Sequence, residues 1–183
     1  MTIRKIARMG HPVLAGRADP VTDLSDPRLR QLVEDMVETM ADANGAGLAA
    51  PQVHEPVRVV IFQAPPHRSD PGLAEAEAFD CTAPLTVLIN PEIEILSPAT
   101  EGGWEGCLSV PGLRGWVERP AHIRYRGLGL DGSVIERVAR GFHARVVQHE
   151  CDHLDGILYP RRMTDMSRLI FESEARHWLG QGK

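Results

Sequence analysis

Two histidines four residues apart, in the run His149-Glu150-Cys151-Asp152-His153, constrain this chain more than any other feature. On a helix, at about 100° per residue, they stand about 40° apart, one turn above the other. Two imidazoles on one stripe can grip a single metal ion. Glu150 then projects about 60° to the side of His153, close to a water at the ion without being spent as a ligand. Cys151, about 160° from His153, faces elsewhere. The pattern is short enough to arise by chance, so its surroundings must decide.

Those surroundings read as alternating helix and strand signals. Asp26 and Pro27 suit an N-cap and first helical position, and Leu29, Leu32, Val33, Met36, Val37 and Met40 recur at helical spacing until Asn44-Gly45. The run Gly45-Ala46-Gly47-Leu48-Ala49-Ala50-Pro51-Gln52 is too rich in small residues to be simply core. Val57–Phe62 reads as a buried strand and Thr86–Leu96 as another, with Ile93 and Ile95 alternating against Glu92 and Glu94. Between them, residues 63–84 lack a sustained period and read as a surface insertion. Ile123–Leu130 and Ser133–Val138 flank Asp131-Gly132, a tight-turn dipeptide. The histidine helix is placed at Gly141–Leu154, and a final amphipathic helix at about 165–179, within residues 161–183. The sum is an α+β fold, read as a single domain over 1–183, with strands in the middle and the chemistry on a helix packed against them.

At 183 residues the chain can bury a substantial core. A net charge of −5 argues against a protein that coats nucleic acid, and no apolar run is long enough to cross a bilayer. Three cysteines, Cys81, Cys107 and Cys151, cannot close a disulfide framework, which points to a reducing compartment.

A catalytic metal site wants three protein ligands and one open position. Glu105-Gly106-Cys107-Leu108-Ser109 offers the best third donor, although a lone cysteine is more often a small buried residue. These segments together carry a resemblance. In Gly45–Gln52, in Glu105–Ser109 and in Gln148-His149-Glu150-Cys151-Asp152-His153-Leu154-Asp155-Gly156, the chain resembles the peptide deformylases from about Ile6 to Tyr159. The resemblance implies curved antiparallel sheets around a central ligand helix, and one divalent ion held by Cys107, His149 and His153. It implies ferrous iron as the native metal, with zinc, nickel or cobalt able to substitute.

The implied reaction is hydrolysis of the N-formyl group from the initiator methionine of nascent peptides, releasing formate. Glu150 is the implied general base, and the Gln52 amide with the Leu108 N–H the implied oxyanion donors. The peptide is expected to lie extended against Gly45, Ala46, Gly47 and Gly106, adding a strand. Leu48, Leu113, Val146 and the surroundings of His149 are the expected methionine pocket. Arg114 orients the loop or touches substrate backbone, unless it is simply a solvated surface residue. Asn44 stands where some relatives carry an acid.

Two other classes compete. A zinc metallopeptidase shares the two-histidine helix and would draw its third ligand from downstream, where His177 is the one histidine available. A redox or metal sensor would use Cys107 and Cys151. The resemblance begins so near residue 1 that it leaves no transit peptide and implies a bacterial cytoplasmic protein, a mature organellar form being the alternative. No membrane or direct nucleic-acid role is expected. Residues 161–183 hold Arg161, Arg162, Arg168, Arg176 and Lys183 against Asp165, Glu172 and Glu174. That excess reads best as a solvated helix face, with transient ribosome contact as the bolder expectation.

Overall fold

The computed structural model describes residues 2–66 and 75–178. Helix α1 (Pro27–Asp42) starts on its cap: Asp26 accepts from the Arg28 N–H at 2.9 Å, and Pro27 fills the first position. Asn44 closes it in the left-handed region, φ 51°. Its apolar stripe of Leu29, Leu32, Val33, Met36 and Met40 packs with Leu48, Val59 and Ile61.

Two antiparallel sheets follow. In the first, β1 (Gly47–Ala49), β2 (Val59–Ala64), β3 (Ala83–Ile95), β6 (His122–Leu128) and β7 (Val134–Arg140) lie side by side in that order. The β6–β7 connection turns at Gly132, φ 81°, with the Asp131 carboxylate accepting from the Ser133 N–H at 3.0 Å. The second sheet orders β4 (Thr100–Cys107), β5 (Val110–Pro120) and β8 (Leu169–Phe171). Between the sheets runs α3 (Gly141–Leu154), packed on β1, β2 and β5. It turns Ala144, Val147, Cys151 and Leu154 into a core shared with Phe62, Leu88, Ile123 and Tyr125. That commits one stripe of α3 to the first sheet and leaves the histidine stripe facing the end of β4.

Two expectations need correction, and one pair of strands has no counterpart in the sequence reading. The C-terminal amphipathic helix is absent from the described residues. In its place are 3₁₀ turns at Tyr159–Arg162, Met166–Arg168 and Glu172–His177, with β8 among them. A short isolated helix is marginal, whereas Leu169, Ile170 and Phe171 gain sheet partners in Gly115, Arg114 and Leu113. Residues 179–183 lie outside the description. Within the presumed 63–84 insertion, β2 runs on to Ala64 and a helix, α2 (Glu75–Cys81), packs on β7 and α3, while residues 67–74 lie outside the description. Finally, β4 and β5 form the longest ladder of the second sheet, although glycines at 102, 103 and 106 weaken any strand signal there.

His143 makes the α3 packing sensitive to acid. It is fully buried; its Nδ1–H donates to the Asp80 carbonyl at 2.8 Å, and its Nε2 lies 3.1 Å from the Tyr125 hydroxyl. Burial holds its pKa at about 4, below the ordinary 6.5, against the upward pull of the Asp80 carbonyl. A depressed histidine pKa means the unfolded chain binds the extra proton. The stabilisation is therefore complete above pH 6.5 and is lost as pH falls toward about 4. Urea unfolding at pH 7 and pH 4.5 should show wild type losing about 2–3 kcal/mol more than His143→Gln. Equal losses would contradict this.

Candidate active site

The site is assembled where α3 passes the end of β4. One helical turn stacks His149 and His153 with ring centroids 5.0 Å apart. Cys107 arrives from the other sheet. The β4–β5 register shifts between Gly106 and Cys107: Gly106 pairs with Arg114 but Cys107 with Val110, so Cys107 stands at the closed end of the hairpin. The Cys107 Sγ and one nitrogen of each histidine all lie within 4.8 Å of one another, and Sγ is 3.4 Å from His153 Nε2. Two donors on a tetrahedral ion, sulfur at about 2.3 Å and nitrogen at about 2.0–2.1 Å, would stand about 3.5 Å apart. The donor set and its spacing thus fit a divalent ion, and this is the one such cluster among the described residues.

Glu105 fixes the first histidine. Its Oε2 accepts from His149 Nδ1 at 2.8 Å, which leaves Nε2 for the cluster. Arg119 grips the same carboxylate through Nε at 2.6 Å and Nη2 at 2.9 Å, and reaches Asp152 through Nη1 at 2.8 Å. Burial opposes the Glu105 charge, but Arg119 and His149 hold it well below the usual carboxylate range. His149 is also buried, yet Cys107 and Glu105 hold it well above the ordinary histidine value. Burial, with the charge of His149, drives His153 the opposite way.

Glu150 is almost fully enclosed, and its Oε2 has no hydrogen-bond partner among the described residues. Burial pushes its carboxyl up to about 7. Gly47 makes the room: a Cβ there would stand 2.6 Å from Glu150 Cδ and overlap the carboxylate. Gln52 is oriented from behind. Its Oε1 accepts from the Ala49 N–H at 2.9 Å, and its Nε2 donates to Ser109 Oγ at 3.1 Å and toward Cys107 Sγ at 3.6 Å.

A cleft of about 510 Å³ opens over this group. Gly45, Ala46, Gly47, Gly106, Leu108 and Arg114 all line it. A Cβ at Gly106 would meet nothing nearer than 3.9 Å, so its open side faces the cleft. Arg114 is tied to Glu172 at 2.6 Å rather than solvated freely. Leu48 belongs elsewhere. On β1 alternate residues face opposite ways, and Leu48 packs under α1 while Leu113 and Val146 line the cleft. His177 pairs with Glu174 on an exposed turn, and Cys151 points into the first-sheet core, where burial pushes its thiol up. Neither joins the cluster, so the downstream-ligand peptidase and the two-cysteine sensor lose their geometry.

A profile of the polypeptide deformylases matches residues 3–169. The chain belongs to the polypeptide deformylase family. Peptide deformylase 2 of Ralstonia nicotianae is 54% identical over 169 residues, covering 92% of each chain. Peptide deformylase 1 of Bordetella pertussis is 54% identical over 166 residues, 91% of this chain and 90% of its own. The crystal structure of peptide deformylase from Ehrlichia chaffeensis superposes with a TM-score of 0.81 at 31% identity, covering 91% of both chains. That of the Met-Ala-Ser-bound class I type b peptide deformylase from Acinetobacter baumannii gives 0.77 at 39% identity, covering 88% of this chain and 99% of that one. The chain is thus a peptide deformylase-family hydrolase of α+β fold that removes N-formyl groups, with a Cys107, His149, His153 donor cluster able to hold a metal ion.

Around the donor cluster stand residues that the sequence did not single out. Glu105 lies within Glu105–Ser109, and an acid two residues from a candidate ligand cysteine is a recognisable signal for a group that orients a histidine. Arg119 and Arg145, both bound to Glu105, carry no local signal.

Proposed function

We propose that the chain hydrolyses the formyl C–N bond of N-formylmethionyl nascent peptides, with Cys107, His149 and His153 as metal ligands and Glu150 as the base. The observation that carries this is Glu150: a buried carboxylate with one oxygen unpaired among the described residues, given room by Gly47 and next in sequence to His149 of the three convergent donors. A divalent ion held by those donors supplies Lewis acidity, which polarises a carbonyl and acidifies water. Glu150 removes a proton from the attacking water and delivers it to the departing amine, so that formate and a free α-amino group result. The Gln52 amide and the Leu108 N–H are the donors we assign to the oxygen that gains charge, and one such donor is worth about 2.7–4 kcal/mol.

The peptide lies extended along Gly45–Gly47 and Gly106, hydrogen-bonded through main chain, so many downstream sequences are accepted. The open side of Gly106 supports this, and the Acinetobacter relative binds a tripeptide, Met-Ala-Ser. The methionine side chain enters between Leu113, Phe142 and Val146, and Arg114, held by Glu172, orients the far end of the peptide.

Ferrous iron is the ion we assign, from the family resemblance; the same donors accept zinc, nickel or cobalt. The bacterial cytoplasm is the compartment we assign, since formylated chains begin there; no helix among the described residues is long and apolar enough to cross a membrane. Ribosome contact through residues 161–183 has weaker support, because Arg162 is bound to Asp152 and Arg168 stacks on Trp116. Reversing the exposed charges of Arg161 and Arg176 should lower ribosome co-sedimentation, and unchanged co-sedimentation would remove that idea.

Mass analysis of formyl-Met-Ala-Ser after incubation tests the reaction. Met-Ala-Ser as the single peptide product supports it, and a dipeptide fragment would favour a peptidase. Gly47→Ala offers a second check. By displacing Glu150 it should cut turnover by about 10²-fold while metal content holds, because misplacing a catalytic group by about 1 Å costs that much.

A further inference from the structure

Arg145 has no part in the reaction so far, yet it makes more of the site's polar contacts than its position in the sequence suggests. It leaves α3 one turn before His149 and lies along the cleft wall. Its Nη1 donates to Glu105 Oε1 at 2.9 Å and to the Val117 carbonyl at 2.9 Å, and its Nη2 donates to the Glu101 carbonyl at 2.8 Å. The side chain is only 14% exposed. Gly103 provides the space: a Cβ there would stand 2.8 Å from Arg145 Cζ and 2.9 Å from its Nε and Nη2. Gly103 pairs with Val117 across β4 and β5, so the guanidinium occupies the place of a side chain on that rung.

Arg119 already binds Glu105 through two nitrogens but is shared with Asp152, whose carboxylate Arg162 also grips. The second guanidinium adds a bond to Oε1, opposite the oxygen that serves His149. Held on Oε1 from two sides, the carboxylate cannot rotate to carry Oε2 away from His149 Nδ1. We propose that Arg145 is a positioning residue that locks Glu105 and through it the tautomer and direction of His149, and that Gly103 is the residue that admits it. This rests on the deformylase reading of the cluster.

The test approaches one contact from both sides. Arg145→Met removes the guanidinium, and Gly103→Ala pushes it out without altering residue 145. Cobalt-loaded proteins are mixed with excess chelator, and cobalt release is followed through the visible absorption spectrum. Both variants should release the ion about 10–100-fold faster than wild type and shift the spectrum alike, since outer partners of a metal-bound histidine are worth that factor in affinity. The double variant should be no faster than Arg145→Met, and Arg145→Lys should recover part of the loss. Wild-type release rates in both single variants would overturn the proposal. So would additive effects in the double variant, which mark two separate injuries to the fold. Failure of wild type to take up cobalt at all would instead overturn the metal-site reading, and the proposal with it.

Discussion

Glu150→Ala is expected to yield a folded protein that keeps its metal and loses about 10²–10⁴-fold in turnover, the usual worth of a positioned general base. The three convergent donors do not include Glu150, so metal content should match wild type. Stability should not fall. The carboxyl is buried with one oxygen unpartnered among the described residues, and removing such a group relieves a desolvation cost. A catalytic group that the fold holds at a cost leaves a signature: activity drops while Tm holds or rises. Metal analysis, formate release and a thermal melt on one preparation check all three. Metal loss in Glu150→Ala would contradict its assignment as base and suggest a ligand instead.

Cys107→Ala should remove the ion. With two imidazoles left, the site lacks a third protein ligand, and affinity should fall by more than the 10–100-fold that an outer partner costs. The Gln52 amide and the Ser109 N–H, which point at Sγ from 3.6 Å and 3.4 Å, lose their acceptor as well. Metal analysis after gel filtration reads the result, and wild-type content would exclude Cys107 as a ligand. The two variants separate the roles cleanly: one keeps the ion and loses the reaction, the other loses both.

What the sequence made legible was local. The histidine pair, its helix at Gly141–Leu154, the capped α1 and the turn at Asp131-Gly132 each depend on periodicity or a cap within a few residues, and each stands where expected. Cys107 was legible as a candidate only, because its approach to His153 depends on a register slip between strands that no short window encodes. The strands β4 and β5 were hidden by their glycines. Gly102 and Gly103 are small because the Trp116 ring and the Arg145 guanidinium fill the space where their side chains would be.

The C-terminal segment failed for a related reason. Leu169 and Ile170 suit a helix stripe or a strand equally, and the free edge of β5 decides between them. The Glu105 network was the least visible part. Glu105 on β4, Arg119 on β5 and Arg145 and His149 on α3 come from two strands and a helix, and only the fold brings the last three to the one carboxylate, with Asp152 joined through Arg119. Leu48 was misplaced by one step of β alternation, which sends it under α1 instead of into the cleft.

The most direct test of the central claim is formate released from formyl-Met-Ala-Ser by protein prepared anaerobically with ferrous iron. The account predicts one formate per peptide consumed, stopped by a chelator and restored by adding iron or nickel. Metal-loaded protein that takes up one ion per chain and releases no formate would contradict it.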